Sequence, residues 1–503
     1  MLNSSVRIII NFVAIDMIPI QKTERPKFIY AALMLVFTIY TYSILRSTKD
    51  SLLLSHMGAE LISATKLWSV LPSAILFMLI YTKLANITTR TTLYNCLTWF
   101  FISFFVLFCF VLYPNLSHLW LNMDTAIHKM PYMKYILQMV SGWPIVTFYI
   151  LSELWGSVML ALMFWQLANQ ITSIAEAKRF YPLFLLVGQM GLLISGVFSR
   201  LSPQISWQSY LNLITCTLVI SGIGLSCSLA KLGKIVGKTN INDISKGSLK
   251  KSKIRLGFIA SLRYVFTSKY IGLIALLILC YGISINLVEG IWKAAITLQF
   301  KKDASAIQHF TGGIQIWTAI IGSITMYSGA YLLRIMTWRV AALLTPLIIL
   351  ITGTLFYIFV LAKDSELMVR IILTLGSAPL FLSVMFGGAQ NVLSKATKYS
   401  FFDPTKEMSY IPLDEELKSK GKAAADVVGG RVGKSMGALI QWSFLQIGYL
   451  FNPNISLLGL APYFFIIFGG ILIMWFIAVQ LLNKRFLQKT TINKKQDVEP
   501  LAA

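Results

Sequence analysis

Residues 271–294 read IGLIALLILCYGISINLVEGIWKA. An apolar run of this length matches the hydrocarbon thickness of a bilayer, where a helix needs about 20 residues to cross. Within it only Glu289 and Lys293 carry charge, and a charge at that depth must be paired or face a wet cavity. The segment therefore sets the fold class and marks a place where the fold spends stability on something else.

Runs of the same kind recur on both sides. They predict helices near 28–46, 65–85, 93–113, 143–166, 180–200 and 209–230, and after the quoted run near 310–333, 341–362, 368–393, 424–450 and 461–482. The composition agrees. Of 503 residues, 56% are hydrophobic and 13% charged, with a mean hydropathy of +0.70, whereas a soluble domain is about a quarter charged. An ordinary soluble enzyme is excluded. The expected fold is an all-α membrane protein of about twelve transmembrane helices in two six-helix halves, 28–230 and 271–482. Around them lie an N-terminal segment (1–27), a connector (231–270) and a tail (483–503).

Lys and Arg number 44 against 20 Asp and Glu, a net charge of +24. In a soluble domain that excess would suggest nucleic acid. Here basic loops hold the cytoplasmic side against anionic phospholipid, and a path for an anionic solute needs cations, so no nucleic-acid partner is expected. From Lys231 to Lys269 the connector carries ten Lys or Arg and one acid, Asp243. It is expected to be cytoplasmic, and with an even number of spans so are both termini. Residues 1–27 lack the features of a cleaved targeting peptide, which points to a bacterial inner membrane. The cysteines at 96, 109, 216, 227 and 280 form no C-x-x-C pair, the four histidines no i, i+4 pair, and neither a metal site nor a cofactor is indicated.

Four places hold charges inside or at the ends of the spans. Arg46, Lys49 and Asp50 follow i, i+3, i+4 spacing at the expected end of the first helix, where snorkelling to the interface is the alternative. Glu153 is the sole charge of the fourth span. Asn286, Glu289 and Lys293 share a face of the seventh, where a plain intrahelical pair is the alternative. Arg431 and Lys434 lie in GGRVGKS, residues 429–435, among glycines that thin the helix and admit a close neighbour. This is not a P-loop, because Val428 stands where the first glycine belongs and the flanks are apolar helix. Clustered Arg and Lys in a desolvated site suit a multiply charged anion such as a polyphosphate. Trp155, Asn286 and Asn391 are candidates to contact an attached base.

At these residues the chain resembles a known family. The stretches RSTKD (46–50), SELWG (152–156), FWQLANQIT (164–172), EAKRFY (176–181), NLVEGIWK (286–293), FDPTKEM (402–408) and IPLD (411–414), with the glycine-rich Arg431 segment, closely resemble the non-mitochondrial ATP/ADP translocases of obligate intracellular bacteria and plastids. The likeness runs in order over roughly 28–482 and favours a rickettsial type. It implies a major-facilitator-like arrangement and exchange of host ATP for bacterial ADP, and no obligatory protein partner is evident in the sequence. It also implies that four intramembrane charges, here Lys49, Glu153, Glu289 and Lys434, are essential. On this reading Lys49 and Lys434 contact phosphate with Arg46 and Arg431 in support, while Glu153, Glu289, Lys293 and Asp50 pair and gate. Met436 stands where a glycine is expected in ATP-moving relatives. GTP, CTP or UTP exchange is the alternative, and an ion-coupled carrier of another organic anion a further one.

Overall fold

In a computed structural model of the chain, the described residues are 20–237, 268–366, 378–413 and 432–498, with single positions at 370, 374, 421, 422 and 425. They are mostly helical, with no strand among them. We number the long helices α1 (Arg25–His56), α2 (Glu60–Ile87), α3 (Arg90–Leu112), α4 (Trp143–Ile171), α5 (Ile174–Ser199) and α6 (Trp207–Val236). After the connector come α7 (Lys269–Gln299), α8 (Ala304–Ile335), α9 (Trp338–Leu361), α10 (Pro379–Thr397), α11 (Gly433–Phe451) and α12 (Ala461–Val498). Ten of these are long and apolar enough to cross a membrane. The other two, α10 and α11, are 19 residues each among the described residues, and the sequence preceding each lies largely outside them.

Local chemistry starts the helices where the apolar pattern does. Ser173 and Glu176 form a reciprocal capping box on α5, Ser206 and Ser268 accept from the third backbone N–H of α6 and α7, and Asp303 caps α8 from a two-residue left-handed turn at Lys301 and Lys302. Two helix ends run ten residues or more past expectation. The first helix does not stop at Arg46 but continues to His56, because the charged face at 46–50 ends the apolar run without breaking the helix. The last helix continues past 482 to Val498.

The helices pack in two groups, α1 with α4, α5 and α6, and α7 with α10, α11 and α12. Between the groups, α5 crosses α8 at a pair of glycines. A Cβ on Gly312 would stand 2.6 Å from Ser199 Cβ and 2.8 Å from the Gly196 carbonyl, so only glycine allows this approach. Beside the crossing Gln308 of α8 is fully buried. Its Oε1 accepts from Ser51 at 2.9 Å, and its Nε2 faces the hydroxyls of Ser47 and Ser199 at 3.0 Å and of Tyr210 at 2.9 Å. Nearer the His56 end, Ser202 donates to Ser305 O at 2.8 Å and Lys134 lies over the Tyr449 ring at 4.5 Å.

At the opposite end, which carries Arg25, Val236 and Lys269, the polar contacts seen among the described residues stay within a group. Lys27 pairs with Glu176 and Arg179 with Glu24 in the first; Tyr270 donates to Ser409 O and Trp338 to Thr405 O in the second. The two groups are thus locked together on the His56 side.

Gln308→Ala removes a partner from four buried hydroxyls and Gly312→Val forces the crossing apart, each at roughly 1–3 kcal/mol against this closure. With cysteines at Ser202 and Ser305 in a chain otherwise freed of cysteine, both changes should lower cross-linking yield. Unchanged yields would place the closure elsewhere.

Candidate functional site

Because α1 runs on past Arg46, its charged face lies within the helix and is turned inward. Lys49 Nζ is 2.7 Å from Asp50 Oδ1 and 3.0 Å from Glu153 Oε1, and rests 3.7 Å above the centre of the Tyr149 ring. With 2% of its side chain exposed, it does not snorkel. The other oxygen of Asp50 meets Lys293 Nζ of α7 at 2.8 Å, and Lys293 also pairs with Glu289 at 3.1 Å. The intrahelical pair therefore exists, but as part of a chain of charges that joins the two groups of helices. Arg46 Nη2 reaches Glu289 at 3.6 Å and Lys66 Nζ reaches it at 3.8 Å.

Two cations in this cluster were not singled out from the sequence. Lys66, in a π-helical turn at Thr65–Val70, opens a predicted span and reads as an interfacial residue. Lys395 falls two residues beyond the expected end at 393, yet α10 carries it to the cavity, where its Nζ donates to Asn391 Oδ1 at 2.7 Å. Its i, i+4 spacing from Asn391 was the available signal.

The candidate base contacts fare differently. Trp155 is not on a cavity wall: it is fully buried inside the first group, donates to Thr38 O at 3.2 Å and packs edge-on against Phe101. Burial of its indole between α1 and α3 is core packing. Asn286 accepts from Lys66 at 3.4 Å, and Asn391 lines the cavity with its oxygen held by Lys395. Arg431 lies outside the described residues, as does the side chain of Lys434. The glycines around it do bring α11 onto α7, for a Cβ on Gly437 would be 2.5 Å from that of Asn286, and Gln441 donates to Asn286 O at 2.6 Å.

Arg46, Asp50, Glu289, Lys293, Lys395 and Trp165 help to line a cavity of about 340 Å³ between the two groups, a size suited to a small ligand. Among the described residues the cluster counts five cations (Arg46, Lys49, Lys66, Lys293, Lys395) against three carboxylates (Asp50, Glu153, Glu289), a surplus of two positive charges. No group of three His, Cys, Asp or Glu is placed to hold a metal among them. Such an arrangement attracts an anion.

Residues 7–486 match the TLC ATP/ADP transporter family. The chain belongs to that family. It is 40% identical to ADP,ATP carrier protein 1 of Rickettsia bellii, covering 93% of this chain and 95% of that one. Against ADP,ATP carrier protein 1 of Rickettsia prowazekii it is also 40% identical, over 95% and 96%, and against that of Chlamydia trachomatis 39%, over 96% and 93%. Among solved structures, the nucleoside transporter NupG superposes with a TM-score of 0.55 at 11% identity, covering 91% of this chain and 99% of that one. A bacterial homologue of the iron transporter ferroportin in its inward-facing state gives 0.54 at 14%, over 93% and 99%. At such identities the likeness is one of fold, and the fold is the major-facilitator-like arrangement.

Removing the bridging carboxylate with Asp50→Asn leaves Lys293 short of a partner across the interface. Breaking a buried pair in this way costs roughly 3–5 kcal/mol, and should lower the unfolding temperature of the purified chain in detergent. Asp50→Asn combined with Lys293→Met should cost clearly less than the sum of the two changes, since Lys49 keeps Glu153. Additive losses would show that the bridge does not couple the halves.

Proposed function

We propose that the chain is an antiporter that exchanges host ATP for bacterial ADP across the inner membrane of an intracellular bacterium, without chemistry on either nucleotide. The observation that carries this reading is the surplus of positive charge at a cavity between the two helix groups, in a chain whose relatives are named ADP,ATP carriers. A polyphosphate supplies the missing negative charge, and the cavity is large enough for the groups that carry it.

In this reading the basic connector and both termini are cytoplasmic, with anionic phospholipid against the connector, so the end bearing Arg25 and Lys269 faces the cytoplasm. Arg46 on the cavity wall meets the incoming phosphates first. Lys49, sealed between Asp50 and Glu153 in this conformer, becomes a phosphate contact when the anion draws it away from Glu153. Lys434 and Arg431 serve the same anion from the second half. Glu153, Glu289 and Asp50 act as gates with Lys293, the carboxylates neutralising Lys49 and Lys293 when the cavity is empty.

In proteoliposomes, preloaded labelled ATP should leave rapidly when ADP is outside and slowly when it is not. Rapid loss into nucleotide-free buffer would defeat obligatory exchange. A panel of unlabelled nucleotides competing for uptake tests the base, and preference for GTP, CTP or UTP would make Met436 the first residue to exchange.

Lys49→Gln and Lys434→Gln should each reduce uptake at least tenfold, and Lys→Arg should not restore it fully, because a planar fork replaces a compact charge poorly. Neutralising two connector lysines, Lys250 and Lys251, is the control and should change expression at most. An equal loss from the control would put the site elsewhere.

A further inference from the structure

Four of the five cations of the charge cluster have a carboxylate within 4.0 Å, and Lys395 is the exception among the described residues. Its described polar partner is the neutral amide of Asn391. An ammonium held inside a membrane protein on an amide oxygen alone is short of negative charge, and an anion in the adjoining cavity relieves it. Asn391, Lys395 and Tyr399 follow one another at i, i+4 and i+8 from α10 into the turn after it, and all three line the cavity. Arg46, from α1 of the other group, lines the same cavity.

We propose that Lys395 is a substrate-binding residue, the contact from the second helix group for the phosphate chain of the nucleotide, facing Arg46 from the first. The proposal rests on the antiport reading for the identity of the substrate, but the polyphosphate site itself follows from the charges. Because Lys395 needs no internal ion pair to be broken, it can capture an anion in the conformer described, whereas Lys49 and Lys293 must first release a carboxylate. Phosphate then spans both groups and substitutes for pairing between them.

The test uses the purified full chain in detergent, titrated calorimetrically with inorganic tripolyphosphate and with ATP, alongside ATP/ADP exchange in proteoliposomes. Lys395→Gln should weaken tripolyphosphate and ATP binding at least tenfold and raise the half-saturating ATP concentration more than it lowers the maximal rate. Lys395→Arg should recover part of the loss. Asn391→Asp supplies an internal carboxylate to Lys395 and should weaken binding similarly while leaving the fold as stable as before, which separates a charge effect from misfolding. Binding of tripolyphosphate by Lys395→Gln and Asn391→Asp as tight as by the unaltered chain, or none by the unaltered chain, overturns the proposal. If the unaltered chain exchanges nucleotide but these variants match it, the antiport reading stands and the Lys395 site falls. If it moves no nucleotide yet binds tripolyphosphate through Lys395, the reverse holds.

Discussion

One carboxylate, Asp50, has a lysine from each half of the molecule on its two oxygens, Lys49 at 2.7 Å and Lys293 at 2.8 Å. Each of these charges alone would cost several kcal/mol at this depth in a membrane. Held together they are tolerable, and the arrangement exists only while the two helix groups meet. The fold therefore carries at its centre an interaction that is lost when the halves separate there, with Glu153 and Glu289 placed to retain one lysine each within its own half. These pairings within a half survive a parting of the groups, whereas the bridge between the halves opposes it.

The closure on the His56 side has a different character. It is built from a glycine crossing and from one amide, Gln308, that meets hydroxyls of α1, α5 and α6. Neutral hydrogen bonds of this kind contribute about 1 kcal/mol each and can be replaced by water on opening. Glycine contacts carry no interlocking side chains that would have to be withdrawn. The molecule thus holds a strong bridge at its middle and a weaker, re-formable seal at one end.

Much of this was legible in the sequence, because the bilayer imposes lengths. The helix positions, the basic connector and the cost of charge inside a span follow from hydropathy alone, which is how Glu153, Glu289 and Lys293 drew notice. What hydropathy cannot mark is the true end of a helix whose charged face points inward. The run appeared to stop at Arg46 because the residues after it are polar on the protein-facing side, and the helix in fact continues to His56. The same effect hid Lys395, placed just past an expected end, and Lys66, placed at an expected start. Trp155 failed for the opposite reason: a tryptophan beside an essential-looking glutamate reads as a ligand contact, while its indole in fact faces away into the core.

The positive surplus also bears on why movement should depend on a bound solute. When the cavity closes on both sides its charges lose water, and among the described residues the cluster retains two more cations than carboxylates. Uncompensated charge in an occluded cavity costs several kcal/mol, and a barrier higher by about 4 kcal/mol slows a step roughly a thousandfold. On the antiport proposed above, a nucleotide polyphosphate removes that cost, and it does so whether the nucleotide carries two phosphates or three, since either is anionic enough to offset the surplus. The empty carrier is then held on whichever side it last opened. Coupling of inward and outward flux needs no separate device in this scheme: it follows from leaving a cationic cavity deliberately one anion short, and from making that anion the cargo.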